Sequence, residues 1–388
     1  MLLSLDVIYN GIGTGYHFIS VQYNINIFKS HTQIILWQVI IIKKVTIYDV
    51  AKHANVTKST VSRVLNGSSE VSEKTKNKIL ETMDTLGFVP NKAARTLKSG
   101  KNNIIGLVVT QQGFSEVILN PFYPLLLKAI TERAQSYGYH ILLINPAGIN
   151  YDSYIDIIKR NAADGFILLG SISNDTLSKK LDKDNIPYVF NMKYSWEHDN
   201  NYVSFDHVNS GYIATKYLLD LGHRNVKMIV GDVKGKILSH NKERIKGFEK
   251  ALMEYNLPFD ENKVLKAPGF MEESYNFIRN LYKEEHPTSL LLSNEVTAIT
   301  AVNCLLDEGY TIPDDLSLIS FGHIDIFKNV RPKLTTVHED FEWQGKTLVD
   351  MLINRINNKE TKAITKQSEL IIGKSTGRKQ RDGSRASI

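Results

Sequence analysis

Between residues 45 and 88 the apolar side chains recur at helical spacing in three short groups. Ile47, Val50 and Ala51 form the first inward stripe. Val61 and Val64 form the second, and Ile79, Leu80, Met83 and Leu86 the third. The pattern predicts a helix around Ile47, a turn at residues 55–57, a second helix over 58–65 and a third helix after it. Ser72 is placed to cap the third helix and Gly87 to close it in the left-handed conformation. Two helices joined by so short a turn must cross steeply over a few apolar side chains, here Val50, Ala51, Val56, Val61 and Val64. That leaves Thr57, Lys58, Ser59, Ser62 and Arg63 on the outer face.

From residue 103 the period changes. Short apolar runs at 104–109, 140–145, 164–170, 186–191, 288–293 and 316–321 read as strands, the first of them buried. Amphipathic stretches at 120–139, 241–255 and 298–308 read as helices, and 203–231 as strand, helix and strand. Strands and helices in this rhythm predict an α/β fold of doubly wound parallel sheets, whose binding residues gather at the C-terminal ends of strands. The apolar run 33–42 is about half the length that spans a membrane. No basic start or small-residue cleavage site marks a signal peptide. The expectation is a cytoplasmic protein with no membrane association.

Composition narrows the class. A chain of 388 residues with 42% hydrophobic and 23% charged residues has material for two or three globular domains. Its one cysteine, Cys304, excludes an internal disulfide framework and a cysteine-based zinc cluster, and reads as a small buried hydrophobe in a reducing compartment. The net charge of +6 is unevenly spread. Residues 44–101 hold eleven lysines and arginines against five acids, and the tail from Lys374 holds five against one, so the body between is net acidic. A basic head on an acidic body suits a phosphate-contacting module joined to a separate small-molecule domain. No G-x-G-x-x-G, GK[ST] loop, G-x-S-x-G elbow or metal-ligand cluster occurs, so no catalytic residue, cofactor or metal is expected.

Two runs carry a resemblance. TIYDVAKHANVTKSTVSRVLNG occupies residues 46–67, and N-x-x-A-R-x-L follows at Asn91, Ala94, Arg95 and Leu97. Together they resemble the lactose-repressor (LacI/GalR) family of bacterial transcription regulators. The resemblance implies a helix–turn–helix head over 44–90, a hinge helix over 91–101 and a two-lobed periplasmic-binding-protein-like domain over 102–376. The N-lobe would take about 102–207 and 338–366, the C-lobe about 208–336 and 367–376, with crossings near 206–210, 335–338 and 367–369. Residues 377–388 form a basic tail. Residues 1–43 do not resemble the family and are expected to be an over-called translation start or an unordered appendage, with a peripheral helix or anchor as the other reading.

The resemblance also implies a DNA interface. Thr57, Lys58 and Ser59 would face the major groove, and Arg63 a base or phosphate. Asn55 and Thr60 would meet backbone phosphates, and Thr46, Tyr48 and Asn66 complete the expected contacts of the head. The hinge would order on operator DNA and place Leu97 into the minor groove. Reading a near-palindromic operator needs two heads, so a homodimer is expected. No terminal leucine heptad is present to make a tetramer.

For the cleft the resemblance points to Asn120, Phe122, Tyr123, Asp206, Arg244, Asn294 and His323, around a small effector that is expected to be a sugar. Phe122 and Tyr123 would lie against it or fill the core. Asp206 could accept from vicinal hydroxyls, and Arg244 offers a rigid fork of donors. Two departures from the family stand out: Glu295 where aspartate is common, and Gly322 where many sugar-binding members carry an acid. The NPFYP run at 120–124 is similar to regulators of maltose and α-glucoside genes. The TIYDVA start also resembles catabolite-control regulators, which answer a phosphorylated protein. A periplasmic sugar-binding protein is the remaining alternative.

Overall fold

The computed structural model describes residues 2–13, 16–27, 32–43, 45–65, 68, 70–88, 101–109, 122–144, 163–170, 176–193, 201–231, 237–267, 271–322 and 329–379. The hinge residues 91–100 lie outside these, as do Asn66, Asn120 and His323. The chain divides into two units, residues 1–100 and 101–388.

In the first unit, β1 (Leu2–Gly13), β2 (Tyr16–Ile27) and β3 (Thr32–Lys43) pair as an antiparallel meander. The sequence reading expects residues 1–43 to be an over-called start or an unordered appendage, or else a peripheral helix or anchor, and strands stand in their place. Yet Ile19, Val21, Tyr23 and Ile25 alternate with Ser20, Gln22, Asn24 and Asn26, which is the period-two signal of a strand. The head follows as α1 (Ile47–His53), α2 (Lys58–Leu65) and α3 (Glu73–Thr85). Its core is Val50, Ala51, Ala54, Val61, Val64 and Ile79, with Val56 partly buried against it. Asp49 receives the Thr46 amide at 2.8 Å and its hydroxyl at 2.7 Å, fixing the start of α1. Ser72 caps α3 through the Thr75 amide, and Gly87 takes φ +61°. Leu80 corrects the expected stripe. Ile79 is fully buried, but its neighbour turns outward and stays 45% exposed, because α3 meets the other helices along one narrow edge.

The second unit begins with β4 (Ile104–Val109), α4 (Phe122–Ser136), β5 (His140–Ile144), β6 (Gly165–Leu169), α5 (Thr176–Lys183), β7 (Tyr188–Phe190) and β8 (Val203–Phe205). Next come α6 (His207–Asp220), β9 (Val226–Gly231), α7 (Ser239–Glu254), β10 (Val264–Ala267), α8 (Met271–Glu285), β11 (Ser289–Leu292) and α9 (Glu295–Asp307). The order closes with β12 (Ser317–Phe321), β13 (Thr335–His338), α10 (Phe341–Ile356), β14 (Ile364–Lys366) and β15 (Glu369–Ile371). No helix among the described residues is long and apolar enough to cross a membrane.

Two parallel sheets result. The first has the order β5-β4-β6-β7, and the parallel pair β14-β8 adjoins it through a bridge from Phe190 to Tyr202. One face is sealed by α4 and α10 over Ile105, Leu107, Leu126, Leu348 and Leu352, the other by α5 over Val108 and Phe166. The second sheet runs β10-β9-β11-β12-β13-β15, parallel except for β15. Core clusters lie on both of its faces.

The chain passes between lobes at Asp206, at Glu339–Asp340 and at Gln367–Ser368, where strands of one sheet give way to elements of the other. Polar side chains tie these crossings together. Gln367 donates to Asp206 at 3.0 Å, Lys366 to Asp340 at 2.8 Å, and Ser210 to Ser368 at 2.9 Å. Beside them α6 and α7 touch at two glycines. A Cβ on Gly211 would stand 2.8 Å from the Arg244 carbonyl carbon, and one on Gly247 2.6 Å from the Tyr212 amide. That close approach sets Arg244 of α7 beside the start of α6.

Candidate functional site

On the head, the turn before α2 is held by Thr57, whose hydroxyl accepts the Thr60 amide at 3.2 Å and lies 2.7 Å from the Ser59 hydroxyl. Asn55 enters the turn at φ +50°. With Val61 and Val64 buried, helical periodicity turns Thr57, Lys58, Ser59 and Arg63 to the surface together, and Thr60 is half-buried. Lys58 donates to the Tyr48 hydroxyl at 3.0 Å and rests over its ring at 4.5 Å, and this bond and charge lower the Tyr48 phenol below its ordinary value. Thr46, the cap before α1, and Tyr48 on α1 are exposed, and Arg63 lies 3.6 Å from Glu70. Of the contact residues expected on the head, Thr46, Tyr48, Asn55, Thr57, Lys58, Ser59 and Arg63 are exposed, and Asn66 lies outside the described residues.

In the second unit the centre of the site is Arg244, only 4% exposed. Its Nη1 donates to the Ser293 carbonyl at 2.9 Å and to Asn241 at 3.2 Å, and its Nη2 to Glu339 at 2.6 Å. The guanidinium also stands 4.4 Å over the Phe321 ring. Its Nε is buried and has no acceptor among the described residues. His207 Nδ1 lies 3.2 Å from the same Glu339 oxygen. Burial pushes the Glu339 carboxyl up, but Arg244 and His207 outweigh it and hold it well below the usual carboxylate range. Burial, then Arg244 and His207, push the nearby His240 imidazole well down against the opposing pull of Glu339.

The other predicted residues take varied parts. Asp206 caps α6 by accepting the Asn209 amide at 2.8 Å, and its second oxygen takes Gln367. Asn294 caps α9 through the Thr297 amide at 2.8 Å, and its amide nitrogen lies beside Gly231 at the end of β9. Phe122 stacks on Tyr123 at 4.1 Å and on Phe341 at 4.9 Å. Tyr123 is buried in the first lobe's core, and burial pushes its phenol up.

Several site residues are absent from the sequence reading. Phe205 lies edge-on to Phe341 at 5.9 Å, 6.0 Å from Trp343 and 6.3 Å from His207, so a row of aromatic rings runs from Phe122 to the charged cluster. Glu339 directly follows β13, whose sequence Thr-Thr-Val-His is mostly polar and gives no apolar run to point to it. Together the rings, the arginine, two acids and two histidines form an aromatic wall beside a dense set of donors and acceptors.

Residues 46–91 match the family described as bacterial regulatory proteins, lacI family, and residues 215–376 match the periplasmic binding protein-like domain. The chain is 33% identical over 343 residues to the HTH-type transcriptional regulator DegA of Bacillus subtilis, covering 86% of this chain and 98% of DegA. It is 30% identical to the HTH-type transcriptional repressor PurR of Photobacterium profundum, over 85% and 98% of the two chains. Catabolite control protein A of Priestia megaterium is also 30% identical, over 82% and 94%. Among solved structures, the lac repressor dimer bound to operator and the anti-inducer ONPF superposes with a TM-score of 0.75 at 23% identity, covering 86% of this chain and all of that one.

Proposed function

The chain belongs to the lacI family of bacterial regulatory proteins, and on that footing we propose that it is an operator-binding transcriptional repressor, a homodimer, whose DNA affinity is set by a neutral sugar held between the lobes. The DNA-binding half of this reading rests on α2. Its exposed Thr57, Lys58, Ser59 and Arg63 stand together on a basic head, as major-groove contact requires. The effector half rests on one observation: the Nε of buried Arg244 has no acceptor among the described residues. A buried donor left unpaired costs about 1–3 kcal/mol, so a ligand oxygen supplied there is stabilising. The partly buried Phe122 ring, at one end of the aromatic row, offers a flat apolar face for the carbon side of a pyranose.

Ligand held by both lobes favours one lobe arrangement and thereby changes the fraction of dimers competent for DNA. Duplex DNA from around the protein's own gene, titrated with the protein in the presence of mono- and disaccharides, tests this. Binding that falls off with salt and is altered by one sugar is expected. Binding indifferent to every sugar, but altered by a phosphorylated carrier protein, would replace the sugar with a protein partner.

A further inference from the structure

Glu295 and Gly322 are the two departures from the family pattern, and the structure puts them in contact. Gly322 follows β12 at φ +88°, and its amide donates to Val337 at 3.0 Å. A Cβ built there would overlap the Glu295 carboxylate, with the carboxyl carbon at 2.7 Å. The carboxyl group of Glu295, the first residue of α9, therefore fills the space that any side chain at 322 would need. It is 4% exposed, and no lysine, arginine or histidine among the described residues pairs with it. An acid buried with no direct ion pair among the described residues, acted on by the Arg244 charge and set at the C-terminal ends of β11 and β12, is unlike the structural ion pairs elsewhere in this chain.

We propose that Glu295 is a specificity-determining residue of the effector cleft, which presents its carboxyl through the gap left by Gly322 and donates a hydrogen bond to an oxygen of an uncharged hydroxyl-bearing ligand. This rests on the effector reading above. The direction of the bond follows from the surroundings. Burial is the largest influence on the carboxyl and raises it; its own backbone amide lowers it, Glu339 raises it and Arg244 lowers it, with the net result at about 7. The neutral acid is a donor, which a carboxylate is not. A ligand that needs that donor loses it as pH rises through neutrality. A ligand bearing an ammonium group would behave oppositely, since it favours the ionised acid.

The test uses the full-length protein, with glucose and maltose as probes, at about pH 6 and about pH 8.5. The proteins compared are the wild type, Glu295→Gln and Gly322→Ala. Carbon-13 NMR of labelled glutamate carboxyls follows Glu295 directly. In the wild type the Glu295 resonance is expected to titrate near neutrality, and in Gly322→Ala, where the carboxyl is displaced, to return toward the ordinary range. A neutral sugar that binds the wild type is expected to lose about thirtyfold in affinity between the two pH values. Glu295→Gln, which keeps a donor at every pH, is expected to flatten that dependence, an effect that a purely structural role would not produce. An ordinary carboxylate titration for Glu295, or a sugar bound with the same pH profile by wild type and Glu295→Gln, overturns the proposal. Tighter binding of glucose or maltose at the higher pH overturns the neutral-donor assignment. If the wild type binds none of the sugars although Glu295 titrates as described, the effector reading fails and takes this proposal with it.

Discussion

Arg244 donates to Glu339 at 2.6 Å, and both side chains are buried, one on a helix of the second lobe and the other on a crossing between the lobes. Breaking a buried pair by removing one partner costs more than the pair itself contributes, because the surviving charge is left in a low-dielectric site. Glu339→Ala is therefore expected to lower stability by about 3–5 kcal/mol. Arg244→Met combined with Glu339→Leu should lose much less. Urea unfolding of the three proteins measures both.

Opposite pH trends follow from the two buried acids. Glu339 is held below its unfolded value, so its contribution is present above the ordinary carboxylate range and fades as pH falls toward the depressed value. Glu295 is raised from 4.5 to about 7, so the folded state holds the extra proton and stability is lost as pH climbs through that window. Glu295→Gln removes this penalty. It should match the wild type near pH 4 and exceed it by up to about 3 kcal/mol above pH 7 in denaturant titrations.

On the head, Arg63→Ala is expected to weaken operator binding and to reduce the slope of log affinity against log salt by about 1 if Arg63 meets a phosphate. If it reads a base, discrimination at one operator position should fall instead. Anisotropy titrations at several salt concentrations, repeated with single-base operator variants, separate the two.

Ile79 and Leu80 are adjacent on α3 but unequal, the first fully buried and the second 45% exposed. Ile79→Ala should cost the head about 2–5 kcal/mol, and Leu80→Ala well under 1 kcal/mol. Thermal unfolding of the two variants gives the comparison.

Where runs of apolar residues are short and uninterrupted, as in β4, β6 and β12, the sequence alone locates the element, because those strands are covered on both faces. It does not locate α10. There the inward stripe includes Gln344, which is buried only because it donates to the Asn191 and Val203 carbonyls. It also passes over β14 and β15, three residues each and mostly half-exposed or exposed, which have too little burial to print a pattern. At the site, Arg244 and Asn294 are legible through local motifs. Glu339 and the Glu295–Gly322 contact are not, since each depends on residues that only the folded sheet brings together.

The most direct test of the account is the sugar concentration that changes operator binding, measured side by side for the wild type and Arg244→Lys. Lysine keeps a charge for Glu339 but lacks the Nε donor and the planar fork. The account predicts that a neutral sugar alters wild-type operator binding and that Arg244→Lys needs about tenfold more of it or stronger. An identical sugar response in the two proteins would contradict it.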